Sequence, residues 1–186
     1  MIKTKEDLIE YMNSDNEYFI NRDKWTRFIM TLTKDPESQI YKYTKYLRKQ
    51  EYYSNSSKGN KFKILLHLFY QRRKNTYGNR LGILIEENSF EKGLNIYHHG
   101  TVIVNPNARI GKNCKLHGNN CIGNDGKTDD SPVLGNNIDV GFGACIIGGV
   151  KLADNIKIGA NAVVTKSFDE EGITLVGIPA KKLKGD

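Results

Sequence analysis

Sulfur and imidazole side chains lie close together in one short stretch of the chain, at Cys114, His117 and Cys121. Thiolates and imidazoles are ligands that zinc prefers, so this group is a candidate metal site. Its spacing fits no common zinc pattern, and Cys114 takes a small-residue position of a repeat that runs through this part of the chain. The remaining cysteine, Cys145, has no adjacent base that would activate it as a nucleophile. We therefore expect no bound metal and no covalent cysteine chemistry.

The repeat spans residues 104–168 and places an aliphatic residue at every sixth position, with one interruption at 123–133. Its aliphatic positions are Val104, Ile110, Leu116, Ile122, Leu134, Val140, Ile146, Leu152, Ile158 and Val164. Neither an α-helix, with about 3.6 residues per turn, nor a strand, with a period of about two, gives this spacing. A hexapeptide period indicates a parallel β-helix, in which three sides form a coil of about 18 residues and coils stack about 4.8 Å apart.

The N-terminal part of the chain has a different pattern, because its apolar residues recur at helical spacing. Thr4 and Asp7 predict a capped helix start, and Pro36 predicts the first turn of a longer helix. The predicted helices run from Thr4 to a break at Asn13 and over residues 24–33, 36–53 and 61–74. We therefore divide the chain into an α-helical N-terminal region, residues 1–79, and a β-helix domain with a C-terminal tail, residues 80–186.

The net charge of +7 is concentrated in the N-terminal half, because residues 1–92 carry 18 basic and 12 acidic side chains. Basic and acidic residues alternate there without a recognition motif, so we interpret them as solvated helix surfaces and expect no nucleic-acid partner. No apolar run reaches the roughly 18 residues that cross a membrane. Acidic residues near Met1 stand where a signal peptide has its apolar core, and three cysteines form no even disulfide framework. A cytoplasmic protein is expected.

Four hexads of the repeat resemble those of the hexapeptide-repeat acyltransferases, at residues 110–114, 134–138, 140–144 and 158–162. Within that superfamily, residues 93–110 are similar to serine acetyltransferases and to their relatives in polysaccharide gene clusters. The order of a helical N-terminal region and a C-terminal repeat is similar as well. The resemblance implies an α+β solenoid, in which helices precede a left-handed parallel β-helix with one extruded loop.

The same resemblance implies an O-acetyltransferase that moves an acetyl group from acetyl-CoA to a hydroxyl. His98 matches the family's catalytic histidine, which takes the proton of the hydroxyl because imidazole titrates near neutral pH. Ile83 aligns with the aspartate that orients this histidine in the family, so the nearest carboxylates, Glu86 and Glu87, are the candidates for that role. The register of the repeat places His98 at an inward position, six residues before Val104. A buried structural histidine is therefore the alternative.

Two differences from the sequence pattern of serine acetyltransferases leave the identity of the acceptor open. Tyr97 stands where they have an aspartate that holds serine, and residues 130–132 read Asp-Ser-Pro where they have Arg-His-Pro. These departures favour the hydroxyl of a sugar or polysaccharide precursor, with serine as the alternative acceptor. A catalytically inactive β-helix scaffold is a second alternative. The candidate acceptor-binding residues are Tyr97, His99 and His117, and His117 should face outward because it follows inward Leu116.

For the donor, the resemblance implies a groove between neighbouring β-helices, with the sites between the subunits of a homotrimer or a dimer of trimers. The matching positions are Gly143, Ala144, Ala160, Asn161, Lys166, Lys181 and Lys182. Small residues let the pantetheine arm approach the backbone, and Lys181 and Lys182 can meet the CoA phosphates as point charges. Acetyl-CoA is the expected co-substrate, and no metal is expected beside it.

Overall fold

The N-terminal part of the chain is helical in the computed structural model, which describes residues 1–183. Its helices are α1 Lys5–Ser14, α2 Glu17–Ile20, α3 Lys24–Leu32, α4 Pro36–Ser56 and α5 Lys61–Leu81. Thr4 and Asp7 form the predicted capping box of α1, and Pro36 lies in the first turn of α4. The capping box supplies acceptors for backbone N–H groups that the first helical turn leaves unpaired. Proline supplies the φ that a first helical turn requires.

α4 runs three residues past its predicted end at residue 53, and two other helices differ more from the prediction. α5 continues past the predicted end at Lys74, because Lys74 is buried and its ammonium group binds the Ile85 carbonyl and the Glu86 carboxylate instead of a helix end. The helix ends before Gly82, whose φ of 72° suits a left-handed C-cap. α2 is missing from the prediction because its four residues are too few for a periodic signal.

The C-terminal part is a parallel β-helix whose short strands form three sheets. Sheet I contains β1 Ile83–Leu84, β3 Val102–Val104, β6 Cys121–Gly123, β9 Cys145–Ile147 and β12 Val163–Val164. Sheet II contains β4 Arg109–Ile110, β7 Val133–Leu134 and β10 Lys151–Leu152. Sheet III contains β2 Asn95–Ile96, β5 Lys115–Leu116, β8 Asp139–Val140, β11 Lys157–Ile158, β13 Thr174–Val176 and the antiparallel β14 Lys181–Lys182. The chain visits sheets I, II and III in turn, and each circuit is one coil.

Each coil places the aliphatic residue of every hexad inside the prism. Val104 pairs with Ile122, and Ile122 pairs with Ile146, so the same inward position is filled in successive coils of sheet I. All the aliphatic positions of the repeat are buried, with at most 5% of their surface exposed. Residues 124–132 leave the prism between β6 and β7, so the predicted extruded loop, 123–133, is one residue shorter at each end. The parallel β-helix that the period predicts is thus confirmed.

A buried ion-pair network attaches the helices to the first coil. Arg48 of α4 is 0% exposed, and its guanidinium binds Asp15 at 2.7 Å and Glu51 at 2.9 Å. It also donates to the carbonyls of Phe90 and Glu91, each at 2.9 Å. Burial alone would lower the pKa of Arg48, but the attraction of Asp15 and Glu51 outweighs burial and raises that pKa, so the guanidinium stays charged. One side chain therefore ties α4, the turn before α2 and the first coil together.

The helices and the coils also share one hydrophobic core. Ile40, Tyr43 and Leu47 of α4 belong to the same buried cluster as the inward residues of the β-helix. α5 crosses the predicted boundary at residue 80, so the division of the chain into two regions stays a prediction, and positions 184–186 lie outside the described residues. Among residues 1–183, no helix is both long enough and apolar enough to cross a membrane.

Replacing Arg48 by Met should destabilise the fold by about 3–5 kcal/mol, because Asp15 and Glu51 would stay buried without their counter-charge. The matched control is Arg22→Met. Arg22 pairs with Glu37 at 2.9 Å, but both side chains are partly exposed, and such pairs contribute about 0–1 kcal/mol. Urea unfolding followed by circular dichroism gives both free energies of unfolding. Equal losses in the two variants would contradict the role assigned to Arg48.

Candidate functional site

His98 lies on an edge of the prism, where the chain turns from sheet III into sheet I. The strand before it ends at Ile96, which is fully buried and pairs with Leu116. Ile96 therefore fills the inward position, which corrects the register expected from the period. Val104 follows eight residues after Ile96 instead of six, so the two extra residues bulge outward, and His98 and His99 are exposed. An isoleucine carries no polar atom that burial would leave unpaired, whereas an imidazole does.

The following coils repeat this edge, which we call the histidine edge: residues 97–100, 117–120, 141–143 and 159–161. Its corners stack directly, since the Gly143 N–H donates to the Gly118 carbonyl at 3.0 Å and the Asn161 N–H donates to the Phe142 carbonyl at 2.8 Å. Gly118 has a φ of +108°, and a Cβ there would lie 3.3 Å from Cβ of His98. Cβ of His98 thus lies directly beside Gly118, at the corner of the next coil.

Where this edge meets the outer surface of sheet III, four side chains form an aromatic–histidine cluster: Tyr18, Tyr97, His117 and Asp139. The Tyr18 and Tyr97 rings stack with centroids 5.2 Å apart, and the Tyr97 and His117 ring centroids are 4.8 Å apart. Nε2 of His117 lies 2.8 Å from Oδ1 of Asp139. The Tyr18 hydroxyl donates to the Ile96 carbonyl, and burial raises the pKa of Tyr18 well above its usual value, so the phenol stays protonated.

The two carboxylates predicted to orient His98 have other partners. Glu86 pairs with Lys74 at 3.2 Å, and Glu87 lies 3.1 Å from Nε2 of His67. Both follow β1 on the edge between sheets I and II, whereas His98 lies on the edge between sheets III and I. Within residues 1–183, no hydrogen bond joins either carboxylate to His98, and the carboxylate paired with a histidine of this site is Asp139.

The positions matched to the donor divide between this edge and other parts of the prism. Gly143, Ala160 and Asn161 lie on the histidine edge, and Ala160 and Asn161 are exposed. Ala144 is fully buried, with its side chain in the core of the prism, so it offers no side-chain contact to a ligand. Lys166 is exposed but follows β12, on the edge between sheets I and II.

The two lysines of the tail lie on β14, the antiparallel strand that extends sheet III. Both side chains are exposed, as a phosphate contact requires. The Lys182 ammonium group already pairs with Glu170, which offsets part of its charge.

The cysteines and His117 do not converge on a metal site. Cys114 is buried inside the prism, Cys121 and Cys145 are neighbours on the outer surface of sheet I, and His117 is bonded to Asp139 on sheet III. In the described chain, up to residue 183, no three His, Cys, Asp or Glu side chains are grouped closely enough to hold a metal ion. Burial raises the pKa of Cys114, and burial together with Cys145 raises that of Cys121, so both are thiols at neutral pH.

Sequence reasoning misses two members of the aromatic–histidine cluster, Tyr18 and Asp139. Tyr18 lies on the single-turn α2, and no pattern in the sequence connects it to Tyr97. Asp139 had a usable signal, because the register pairs Lys115 with Asp139 and thus puts His117 diagonally opposite on the same outer surface. To predict this pairing, one must count the residues that the extruded loop adds to the coil between Lys115 and Asp139.

Comparison with known proteins supports the same fold. No protein-family model matches the chain. One stretch is 36% identical over 97 residues to serine acetyltransferase of Helicobacter pylori, and the match covers 51% of this chain and 56% of that relative. The chain spans between 37% and 56% of the length of the first curated relatives that it matches.

Two solved structures resemble the chain over nearly its whole length. Soybean serine acetyltransferase complexed with serine has a TM-score of 0.74 and 21% identity, covering 96% of this chain and 70% of that chain. Serine acetyltransferase of Brucella abortus in complex with coenzyme A has a TM-score of 0.70 and 19% identity, covering 96% and 68%. At such identities the likeness concerns the fold, and it confirms helices followed by a left-handed parallel β-helix. The chain is therefore similar to serine acetyltransferases of the hexapeptide-repeat superfamily, as its repeat predicts.

Proposed function

We propose that the chain is an acetyl-CoA-dependent O-acetyltransferase in which His98 is the general base. The observation that carries this proposal is the histidine edge, where the exposed His98 lies in line with Gly143, Ala160 and Asn161 of the following coils. A base and a donor groove on one edge would hold a hydroxyl and a thioester within reach of each other. The serine acetyltransferase relatives and the coenzyme A complex of the Brucella abortus protein support the same activity.

The reaction needs two proton transfers, from the acceptor hydroxyl to His98 and from His98 to the leaving thiolate. Neutral His98 would take the proton of the acceptor hydroxyl as the oxygen attacks the acetyl carbonyl carbon. Backbone N–H groups at the corners of the edge would stabilise the oxyanion of the tetrahedral intermediate. As the intermediate collapses, the C–S bond breaks and the leaving thiolate takes the proton from imidazolium. The products are an acetyl ester and CoA, and His98 returns to its neutral form.

L-Serine is the acceptor that we propose first. The comparisons support this alternative better than the sugar hydroxyl that Tyr97 favours, since the relatives are serine acetyltransferases and the soybean structure was solved with serine. A specific observation keeps the sugar hydroxyl as the second candidate. Tyr18, Tyr97 and His117 stack on one another and are only half-buried, so together they offer apolar aromatic surface to a sugar ring beside the histidine edge.

Purified protein should release CoA from acetyl-CoA about 100-fold faster with L-serine than without an acceptor, because a positioned base accelerates the transfer by at least that factor. A thiol-detection assay measures the release, with N-acetylglucosamine as the comparison acceptor. Faster release with the sugar would move the acceptor to the glycan class. No release with either acceptor, together with no acetyl-CoA binding by calorimetry, would favour the inactive scaffold.

Replacing His98 by Asn should lower kcat by about 10²- to 10⁴-fold, because an amide cannot take the hydroxyl proton. The affinity for acetyl-CoA, measured by calorimetry, should stay unchanged. His67→Asn is the matched control, since His67 lies on α5 and is bonded to Glu87 away from the edge. An unchanged kcat in the His98 variant, or equal losses in both variants, would contradict the assigned base.

We further propose that the sites form between the subunits of a homotrimer or a dimer of trimers. Sheet I supports a subunit contact, because its outward column is apolar: Leu84, Ile103, Cys121, Cys145 and Val163. The outward column of sheet III is polar: Asn95, Lys115, Asp139, Lys157 and Thr174. Contact with a second copy would remove the apolar column from water, which favours association.

Replacing Ile103 by Glu should shift the protein from trimer to monomer, because it puts a charge into the apolar column, where Ile103 is 43% exposed. Size-exclusion chromatography with light scattering measures the mass. Val133→Glu is the matched control, since Val133 is an outward residue of sheet II with 45% exposure. A monomeric wild-type protein would contradict the assembly, and a trimer in the Ile103 variant would contradict sheet I as its contact.

A further inference from the structure

Two helices of the N-terminal region carry an apolar stripe on their exposed surface. In α3 the stripe recurs at helical spacing and is between 37% and 70% exposed: Trp25, Phe28, Ile29 and Leu32. In α5 the stripe fills the first turns and is between 42% and 67% exposed: Phe62, Ile64, Leu65, Leu68 and Phe69. A surface helix normally turns such a stripe towards the core. Within residues 1–183, no other part of the chain covers either stripe.

The stripe of α5 faces away from the prism, because the other side of this helix contacts the first coil. His67 lies 3.1 Å from the Glu87 carboxylate, and the Lys74 ammonium group donates to the Ile85 carbonyl at 3.0 Å. At about 3.6 residues per turn, Leu65 points about half a turn away from both His67 and Lys74.

The stripe of α3 faces the same way. Ile40, Tyr43 and Leu47 of α4 point into the core that the helices share with the prism. Ser38 lies on the opposite side of α4, and its hydroxyl donates to the Met30 carbonyl of α3 at 3.0 Å. α3 therefore lies on the side of α4 away from the prism, and Met30 is on the opposite side of α3 from the apolar stripe.

The same helices are strongly basic. Residues 24–81 contain 14 basic and 3 acidic side chains, and neither α3 nor α5 contains an acidic residue. The three acidic side chains already have partners or are buried: Asp35 caps α4, Glu37 pairs with Arg22, and Glu51 is buried. The net charge of the whole chain is +7, so its positive charge is concentrated in these helices.

Basic side chains without counter-charges lie beside the apolar stripes. Lys42, Lys45 and Lys49 recur on the side of α4 away from the core, and Arg72 and Arg73 follow the apolar stripe of α5. In the part of the chain that the structure describes, none of these five side chains belongs to an ion pair. Burial and the repulsion of Lys49 lower the pKa of Lys45, so a nearby anion would stabilise its charged form.

We propose that this outer helical face, formed by α3, α4 and α5, docks on the surface of an anionic lipid bilayer. The aromatic and aliphatic side chains of the two stripes enter the boundary between headgroups and acyl chains. The lysines of α4 and the arginines of α5 meet the lipid phosphates. Basic amphipathic helices with Trp, Phe and Leu on their apolar side bind bilayer surfaces in this way. The docking goes beyond the proposed function and does not depend on it.

An anionic bilayer matches both properties of the outer helical face, whereas other partners match one. A second copy of the same face would cover the apolar stripes but would bring two sets of unpaired cations together. A nucleic acid would pair with the cations but would leave the leucine side chains in water. A bilayer surface supplies phosphates and an apolar layer in one partner.

Trp25 provides a direct test, because it is the single tryptophan of the chain and is 70% exposed. Its fluorescence emission should shift to shorter wavelengths with vesicles of equal parts phosphatidylglycerol and phosphatidylcholine, since the indole leaves water. Vesicles of phosphatidylcholine alone should cause little shift, and about 1 M salt should weaken the binding to anionic vesicles. No shift with the anionic vesicles would overturn the proposal.

The apolar contribution is tested by co-sedimentation with the same anionic vesicles. Leu65→Glu should weaken binding by about 10-fold or more, because it removes apolar surface and adds a charge that the phosphates repel. Val133→Glu makes the same change of charge at an exposed residue of sheet II and should change binding by less than about threefold. Both residues are exposed, so circular dichroism should show that both variants keep the fold.

The basic contribution needs a pair of double variants that remove the same charge. Lys45→Gln combined with Lys49→Gln should weaken binding by about 10- to 30-fold, since each lysine near an anionic surface contributes about a factor of five. Lys151→Gln combined with Lys157→Gln removes two exposed lysines from the prism and should change binding by less than about threefold. Equal losses in the variant and its control, in either pair, would overturn the proposal.

Two further outcomes would assign the outer helical face to another partner and so overturn the proposal. One is a lower mass of the Leu65 variant in light scattering when the wild-type protein binds no vesicles, which would indicate a second copy. The other is tighter binding to a single-stranded oligonucleotide than to anionic vesicles. Acetyl transfer by a protein that binds no vesicles would leave the proposed function standing without the docking. Docking without acetyl transfer would support the docking alone.

Discussion

The placement of the helices on the β-helix depends on one buried guanidinium. Arg48 needs its counter-charges, because an unpaired ion in a low-dielectric interior is costly. Its partner Asp15 also accepts the N–H groups of Gly93 and Leu94, at 3.0 and 2.9 Å, and so holds the start of the first coil. The turn after Asp15 carries α2, and α2 carries Tyr18 to its stack on Tyr97. A charge buried away from the site thus positions the aromatic–histidine cluster.

A prism of stacked coils assigns a different chemistry to each of its surfaces. Outward residues at equivalent positions form columns, because each strand pairs in register with the strand one coil away. The column of sheet I is apolar, that of sheet III is charged, and the corner between them carries His98. In the proposed arrangement, the subunit contact on sheet I therefore adjoins the edge that carries His98 and the donor positions.

The period predicts the β-helix reliably because every coil must bury one residue per hexad. Its failures have local causes. Asn95 pairs with Lys115, a separation of 20 residues instead of about 18, so the entry coil bulges where the regular period has not yet begun. Glu86 and Glu87 are the nearest carboxylates to His98 along the chain, but they lie on a different edge. Residues that are near one another in the sequence can therefore lie on different edges of the same coil.

The sequence alone determined the solenoid, the extruded loop, the α-helical N-terminal region and the resemblance to serine acetyltransferases. Those features follow from periodic burial and from short motifs, which depend on residues near one another in the chain. Only the tertiary structure decided that His98 is exposed, that Asp139 pairs with His117, that Tyr18 stacks on Tyr97 and that two lysines flank Asp139. These contacts join residues about one coil or more apart, so they exist only once the coils stack in register and Arg48 fixes the helices against them.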